Sequence, residues 1–170
     1  MALEKEPVNK VSRKDILTID LESFLPGDTQ IAVFDIKDYL YKKLILKEKE
    51  FRAAMKSHMW DQYHGKYLCI TCSSDAVIPL WAYMLIASCG NEHSESVYYT
   101  DEKNAYNWII LEKISKLQVE DFENRRVIVK GCSNKALDPS VYIAITNKLQ
   151  PVVRSLQFGE ACSMVPVFKK

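Results

Sequence analysis

The sequence predicts a single α/β domain with a mostly parallel sheet, helices on both faces, and cysteines at the carboxyl edge of that sheet. Two observations predict it. From residue 66 onward, short apolar runs alternate with stretches of helical period, and strands that pair in parallel need such crossovers. Three of the apolar runs then lead directly into a Cys-Ser pair, at Cys72-Ser73, Cys132-Ser133 and Cys162-Ser163.

Residues 1–14 are polar and aperiodic and are read as a flexible arm, which leaves 15–170 for the domain. Residues 16–21 alternate apolar and polar side chains as a short strand does. The turn signal Pro26-Gly27-Asp28 separates them from a compact apolar strand at 31–34, after which Asp35 is placed to cap a short helix to about residue 43. Residues 44–46 read as a strand end. A helix over 47–59 puts Phe51, Ala54, Met55 and His58 on one stripe. The regular part follows: strand 67–71, helix 79–88, strand 96–100, then an amphipathic helix 102–117 whose buried stripe is expected to be Ala105, Trp108, Ile109, Leu111 and Ile114. Strand 126–130 precedes a helix that Asp138 caps and Pro139 starts, running to about 149. Strand 152–158 and a short tail close the chain.

With 170 residues, 48% hydrophobic and 26% charged, the chain has the size and balance of one folded domain, which sets aside disordered and fibrous classes. Lys+Arg 23 against Asp+Glu 22 leaves a net charge of +1, and no basic run marks a phosphate-tracking face, so nucleic acid is not an expected partner. The N-terminus carries no signal-peptide core and no apolar stretch is long enough to span a bilayer, so a cytoplasmic protein without membrane contact is expected. In that reducing compartment five cysteines read as metal ligands, redox groups or core fillers rather than as disulfides.

The spacing suggests that the three Cys-Ser cysteines meet. A strand-helix-strand unit takes about 30 residues, and Cys132 follows Cys72 by 60 while Cys162 follows Cys132 by 30. Equivalent strand ends share the carboxyl edge, where open α/β sheets bind ligands. The missing beat falls at Thr100-Asp101-Glu102, which makes Asp101 a candidate fourth donor. Thiolates are soft, charged donors suited to zinc or an iron–sulfur cluster, and three of them leave one position open. His58, an imidazole on an apolar stripe, is the other candidate for that neighbourhood; its competing role is a core histidine bonded to a carbonyl. We expect water or a small ligand at the open position, with His58 or Asp101 beside it rather than bonded. Ser73, Ser133 and Ser163 can donate to sulfur or cap their turns, and Asp75 is a candidate to orient a ligand or to act as a first-turn acid of the next helix. The competing reading is that all these cysteines are small buried hydrophobes at loop ends.

Cys69 and Cys72 form a Cys-x-x-Cys spacing, but an odd offset along a strand turns the two side chains to opposite faces, so Cys69 is expected in the core. Cys89, at the end of an apolar helix, is expected there as well. His64 and His93 sit in polar turns and read as solvated. Trp60, Tyr63, Tyr67 and Trp81 read as packing, since no basic residues interleave with them.

Several motifs together, Phe34-Asp35-Ile36-Lys37-Asp38, Thr71-Cys72-Ser73, Pro79 with Trp81-Ala82-Tyr83-Met84, Lys130-Gly131-Cys132-Ser133, and Gly159-Glu160 with Cys162-Ser163 and Val165-Pro166, resemble the bacterial DUF2480 family of Bacteroidetes. The resemblance extends from Ile16 to Lys170. It implies a metal- or sulfur-related role by association with iron–sulfur cluster assembly, and so iron–sulfur assembly proteins as partners. Independently of the resemblance, a homo-oligomer is a further expectation. The leading expectation is therefore a zinc or iron–sulfur protein on Cys72, Cys132 and Cys162, accessory to iron–sulfur biogenesis. The alternatives are a thiol enzyme or persulfide carrier using Cys72, assisted by His58 or Asp75, and an interaction module whose cysteines are inert.

Overall fold

The strands sort into two sheets, each within its own compact unit. The structure, a computed structural model, describes residues 16–130, 137–160 and 163–170. One unit spans Leu25–Glu112; the other joins Met1–Phe24 to Lys113–Lys170.

The first unit pairs its strands in chain order: β2 (Ile31–Asp35), β3 (Tyr67–Thr71) and β4 (Ser96–Tyr99) lie side by side, all parallel. Helices α1 (Glu48–Ser57), α2 (Leu80–Gly90) and α3 (Glu102–Ser115) connect or follow them, α3 continuing past the unit's last residue. Strand β3 reads Leu-Cys-Ile without a polar break because both its faces are covered. One face carries Phe34, Leu68 and Ile70 into a core with Phe51 and Met55 of α1 and Ala82 and Ile86 of α2. The other carries Cys69 against Ala105 and Ile109 of α3. Burying a side chain such as Phe51 or Ile86 stabilises by about 1.5–3 kcal/mol each.

The second unit is a four-stranded sheet in the order β1 (Ile16–Asp20), β5 (Arg126–Lys130), β6 (Ser155–Glu160), β7 (Ser163–Lys169). β1, β5 and β6 are parallel and β7 is antiparallel. Helix α4 (Pro139–Leu149) starts as expected, with Asp138 accepting from the Ser140 amide at 2.8 Å and Pro139 in its first turn. Val127, Val129, Leu156 and Phe158 share the sheet face on which α4 lies, Tyr142 meeting Phe158 edge-on at 5.7 Å.

The α/β class, the mostly parallel pairing and the order of the main elements agree with the sequence. The single sheet does not. Alternation of strands and helices predicts crossovers but not neighbours, and β1 pairs with β5, far along the chain, rather than with β2. Residues 163–169, expected as a tail, form β7. Pro166 masks it in the sequence, since proline is tolerated in strands at edges and bulges, and β7 is an edge strand with a register shift opposite Leu156/Gln157. Val152 and Val153, expected in the last strand, instead close the exit of α4, both amides donating to the Leu149 carbonyl at 3.0 Å. In α3 Trp108 is 53% exposed, Leu111 is half-buried, and Ile110 takes a buried place with Ala105, Ile109 and Ile114. Both stripes have helical spacing, and only the neighbours choose between them. Residues 44–46 form no strand: Tyr41 and Ile45 bridge across a tight turn in which Lys42 and Lys43 take left-handed φ of 48° and 59°. No described helix is long and apolar enough to cross a membrane.

Candidate functional site

The carboxyl edge of the three-stranded sheet is built by residues that follow three neighbouring parallel strands. Asp35 and Thr71 are register partners at the ends of β2 and β3, so the residues just beyond β3 reach back to β2. The Ser73 amide donates to Asp35 Oδ1 at 3.0 Å, the Ser73 hydroxyl donates to Oδ2, and the Lys37 amide donates to Oδ1 at 3.0 Å. Burial opposes ionisation of Asp35, but the Ser73 and Lys37 hydrogen bonds, with the Lys37 charge, prevail and hold its carboxyl below the usual carboxylate range. This clamp fixes the backbone beside Cys72. The Cys72 thiol is half-buried, with Sγ 3.3 Å from Ser74 Oγ and 3.7 Å from the Ser74 carbonyl, to which it donates. Tyr83 of α2 lies edge-on to Tyr99 at 5.2 Å, and its hydroxyl pKa is raised by burial, by Tyr99 and by the neighbouring Cys72.

Asp101 follows β4 on the same edge and works as a helix cap: Oδ1 accepts from the Asn104 amide at 2.8 Å and Oδ2 from the Asn104 side chain at 3.0 Å. Asp75 is exposed and lies well ahead of Leu80, where α2 begins, so it is not a first-turn acid. Cys69 is fully buried on the α3 side, while Cys72 packs toward the opposite core, as the odd offset requires. Burial, with Glu102 and Asp101 nearby, pushes the Cys69 thiol up to about 11. Cys89 packs against the same core as Cys72, its pKa raised by burial and by Glu92.

His58 forms a second constellation. It is the residue after α1, not part of its stripe, and its ring is set among Phe34, Tyr39, Trp60 and Tyr63. Nδ1 lies 2.9 Å from the Tyr39 hydroxyl; Nε2 lies 3.0 Å from the Tyr63 hydroxyl and 3.2 Å from the Gln62 amide nitrogen. Both ring nitrogens are thus engaged, by hydroxyls rather than the expected carbonyl. Desolvation lowers the His58 pKa, and burial raises Tyr39 and pushes Tyr63 up to about 12, so the three rings sit together uncharged at neutral pH. Beside them a cleft of about 410 Å³ is lined by His58, Trp60, Gln62 and His93, and His93 Nδ1 pairs with Asp61 at 2.8 Å.

A family model described as a protein of unknown function, DUF2480, matches residues 5–170. The chain belongs to the DUF2480 family. No curated protein and no solved structure matches it.

In this DUF2480 chain, Cys132, Ser133 and Cys162 lie outside the described residues. Ser163 opens β7 as the register partner of Glu160 and is exposed. Cys72 follows a strand of one sheet, whereas Cys132 and Cys162 follow strands of the other, so the spacing argument for one shared sheet edge does not hold for all three. Among the described residues, no three His, Cys, Asp or Glu side chains gather as a metal site. The strands leading to the other two thiols do finish together. β5 and β6 are adjacent and parallel, with Val129 opposite Phe158, and Lys130 pairs with Glu160 at 2.8 Å. The Asp35 clamp and the tyrosines around His58 were missed in the sequence. Asp35 could have been found by noting that a strand-terminal acid and a Ser after the next strand fall level in a parallel pair.

Proposed function

We propose that this protein holds zinc or an iron–sulfur cluster on a thiolate pair, Cys132 and Cys162, and serves as an accessory to iron–sulfur assembly. One observation carries the reading: β5 and β6 are neighbours in parallel register, their last residues Lys130 and Glu160 are joined by an ion pair, and each strand is followed two residues on by a Cys-Ser pair. Two soft anionic donors suit such metals and leave coordination positions for another protein's ligand or for water. Positions filled from outside are what a carrier needs in order to hand its cargo on.

The test is iron, zinc and acid-labile sulfide content after anaerobic purification. Cys132→Ser and Cys162→Ser are each expected to abolish metal retention, and Cys89→Ser to leave it intact. Wild-type protein that stays metal-free after anaerobic reconstitution, or equal losses in all three variants, would sink the reading.

A second reading is favoured by the clamp at Cys72. A half-buried thiol with a hydroxyl 3.3 Å from sulfur, on a backbone pinned by Asp35, is placed to act as a nucleophile or persulfide carrier. Alkylation kinetics separate the two. Under this reading Cys72 reacts with iodoacetamide faster than Cys89, and Asp35→Asn slows it; equal rates at the two thiols argue against it.

A further inference from the structure

We infer that the four-stranded sheet carries a binding groove for a neutral, largely apolar small molecule, between α4 and the β6–β7 hairpin. The cavity measures about 520 Å³, inside the range of roughly 300–1,000 Å³ that small-molecule sites occupy. Val129 and Leu156 are its buried base, and the edge-to-face rings of Tyr142 and Phe158 stand within it. Ile143 of α4 and Val167 of β7 line it while 61% and 52% exposed. Apolar side chains gathered around a concavity, rather than scattered singly, mark a surface that gains by being covered.

The lining also says what covers it. No charged side chain is among the lining residues, so an ionised ligand would lose its hydration without gaining a partner. One carboxamide, Asn147 of α4, lines the groove, and its side chain makes no hydrogen bond among the described residues; Gln157, between Leu156 and Phe158 in β6, contributes backbone, since its side chain turns to the other face of the sheet. The Asn147 carboxamide can both donate and accept, which suits a carbonyl, hydroxyl or amide at one end of an apolar body. The Thr146 hydroxyl is already given to the Tyr142 carbonyl at 2.8 Å. An added polypeptide strand is the poorer occupant, because Pro166 and the register shift interrupt the edge strand on which it would have to pair. No described cysteine lines the groove, so this inference and the thiolate reading can fail separately.

Fluorescence titration of the full chain with Nile red, a neutral apolar dye, tests it. The expected result is saturable binding, one dye per chain, with blue-shifted emission. Ile143→Glu, at an exposed position where folding is not at stake, is expected to weaken binding by about tenfold or more through the carboxylate it brings to the groove. Ile143→Trp, which fills the groove without charge, is expected to weaken it as well. Non-saturable binding, or binding that both variants leave intact, overturns the inference. So does a wild-type dimer that Ile143→Glu converts to a monomer, which would give this face to a second copy of the chain.

Discussion

The two sheets solve burial in opposite ways. The three-stranded sheet is parallel throughout, and its central strand is shut in on both faces, by α1 and α2 on one side and α3 on the other. The four-stranded sheet ends in an antiparallel strand whose Met164, Val165 and Val167 are exposed, beside a groove that α4 only partly roofs. A parallel strand requires crossovers that bring helices to its faces, whereas a hairpin strand can join a sheet with no helix above it. The same kinds of apolar side chain therefore do different work. In the first sheet they hold the unit together; in the second, part of them remains available to a ligand.

Three measurements break or sharpen this contrast. The largest effect is expected from Phe51→Ala, in the closed core against Tyr39 and Trp81, at about 3–5 kcal/mol in urea unfolding. The matching truncation on the open side, Ile143→Ala, is expected to stay within about 0.5 kcal/mol. Equal losses would mean that the two faces are not different in kind. Next comes Gly159→Ala, in the hairpin of the open sheet. Gly159 has φ +119°, and an added Cβ would run into the Ser163 carbonyl oxygen, so a loss of about 1–3 kcal/mol by circular dichroism melting is expected. A neutral result there would show that the hairpin contributes little to its sheet.

The smallest effect belongs to His58. Its folded-state pKa is below the ordinary 6.5 because the charged ring is desolvated, so just below that pH the unfolded chain binds more protons than the folded one. Stability contributed by neutral His58 is thus present above pH 6.5 and is lost as pH falls from there toward the folded-state pKa. The check is urea unfolding across that window. His58→Gln is expected to flatten the slope in wild-type stability, and an unchanged slope would assign the pH dependence to other groups.

How much of this could be read from residues alone depends on the range of the interaction. Asp138-Pro139 announced α4 because a cap and a preset φ act within one turn. The strands at 31, 67, 96 and 126 were evident because short runs rich in apolar and aromatic residues, bounded by polar stretches, read as strands. The opposite facing of Cys69 and Cys72 followed from a period of two. Trp108 could not be placed, since helical periodicity allows two stripes and only the packed neighbours choose. His58 was read as part of the α1 apolar stripe, but it follows that helix, and its partners Tyr39 and Tyr63 come from flanking turns that no periodicity describes. The deepest limit concerns the thiols. An interval of 30 residues says that three cysteines follow strand ends, but it cannot say that those strands share a sheet. Local chemistry thus determined the elements, the caps and the Cys-Ser positions, while the pairing of β1 with β5 and the division into two sheets were decided by contacts between residues far apart in the chain, whose energies no local pattern contains.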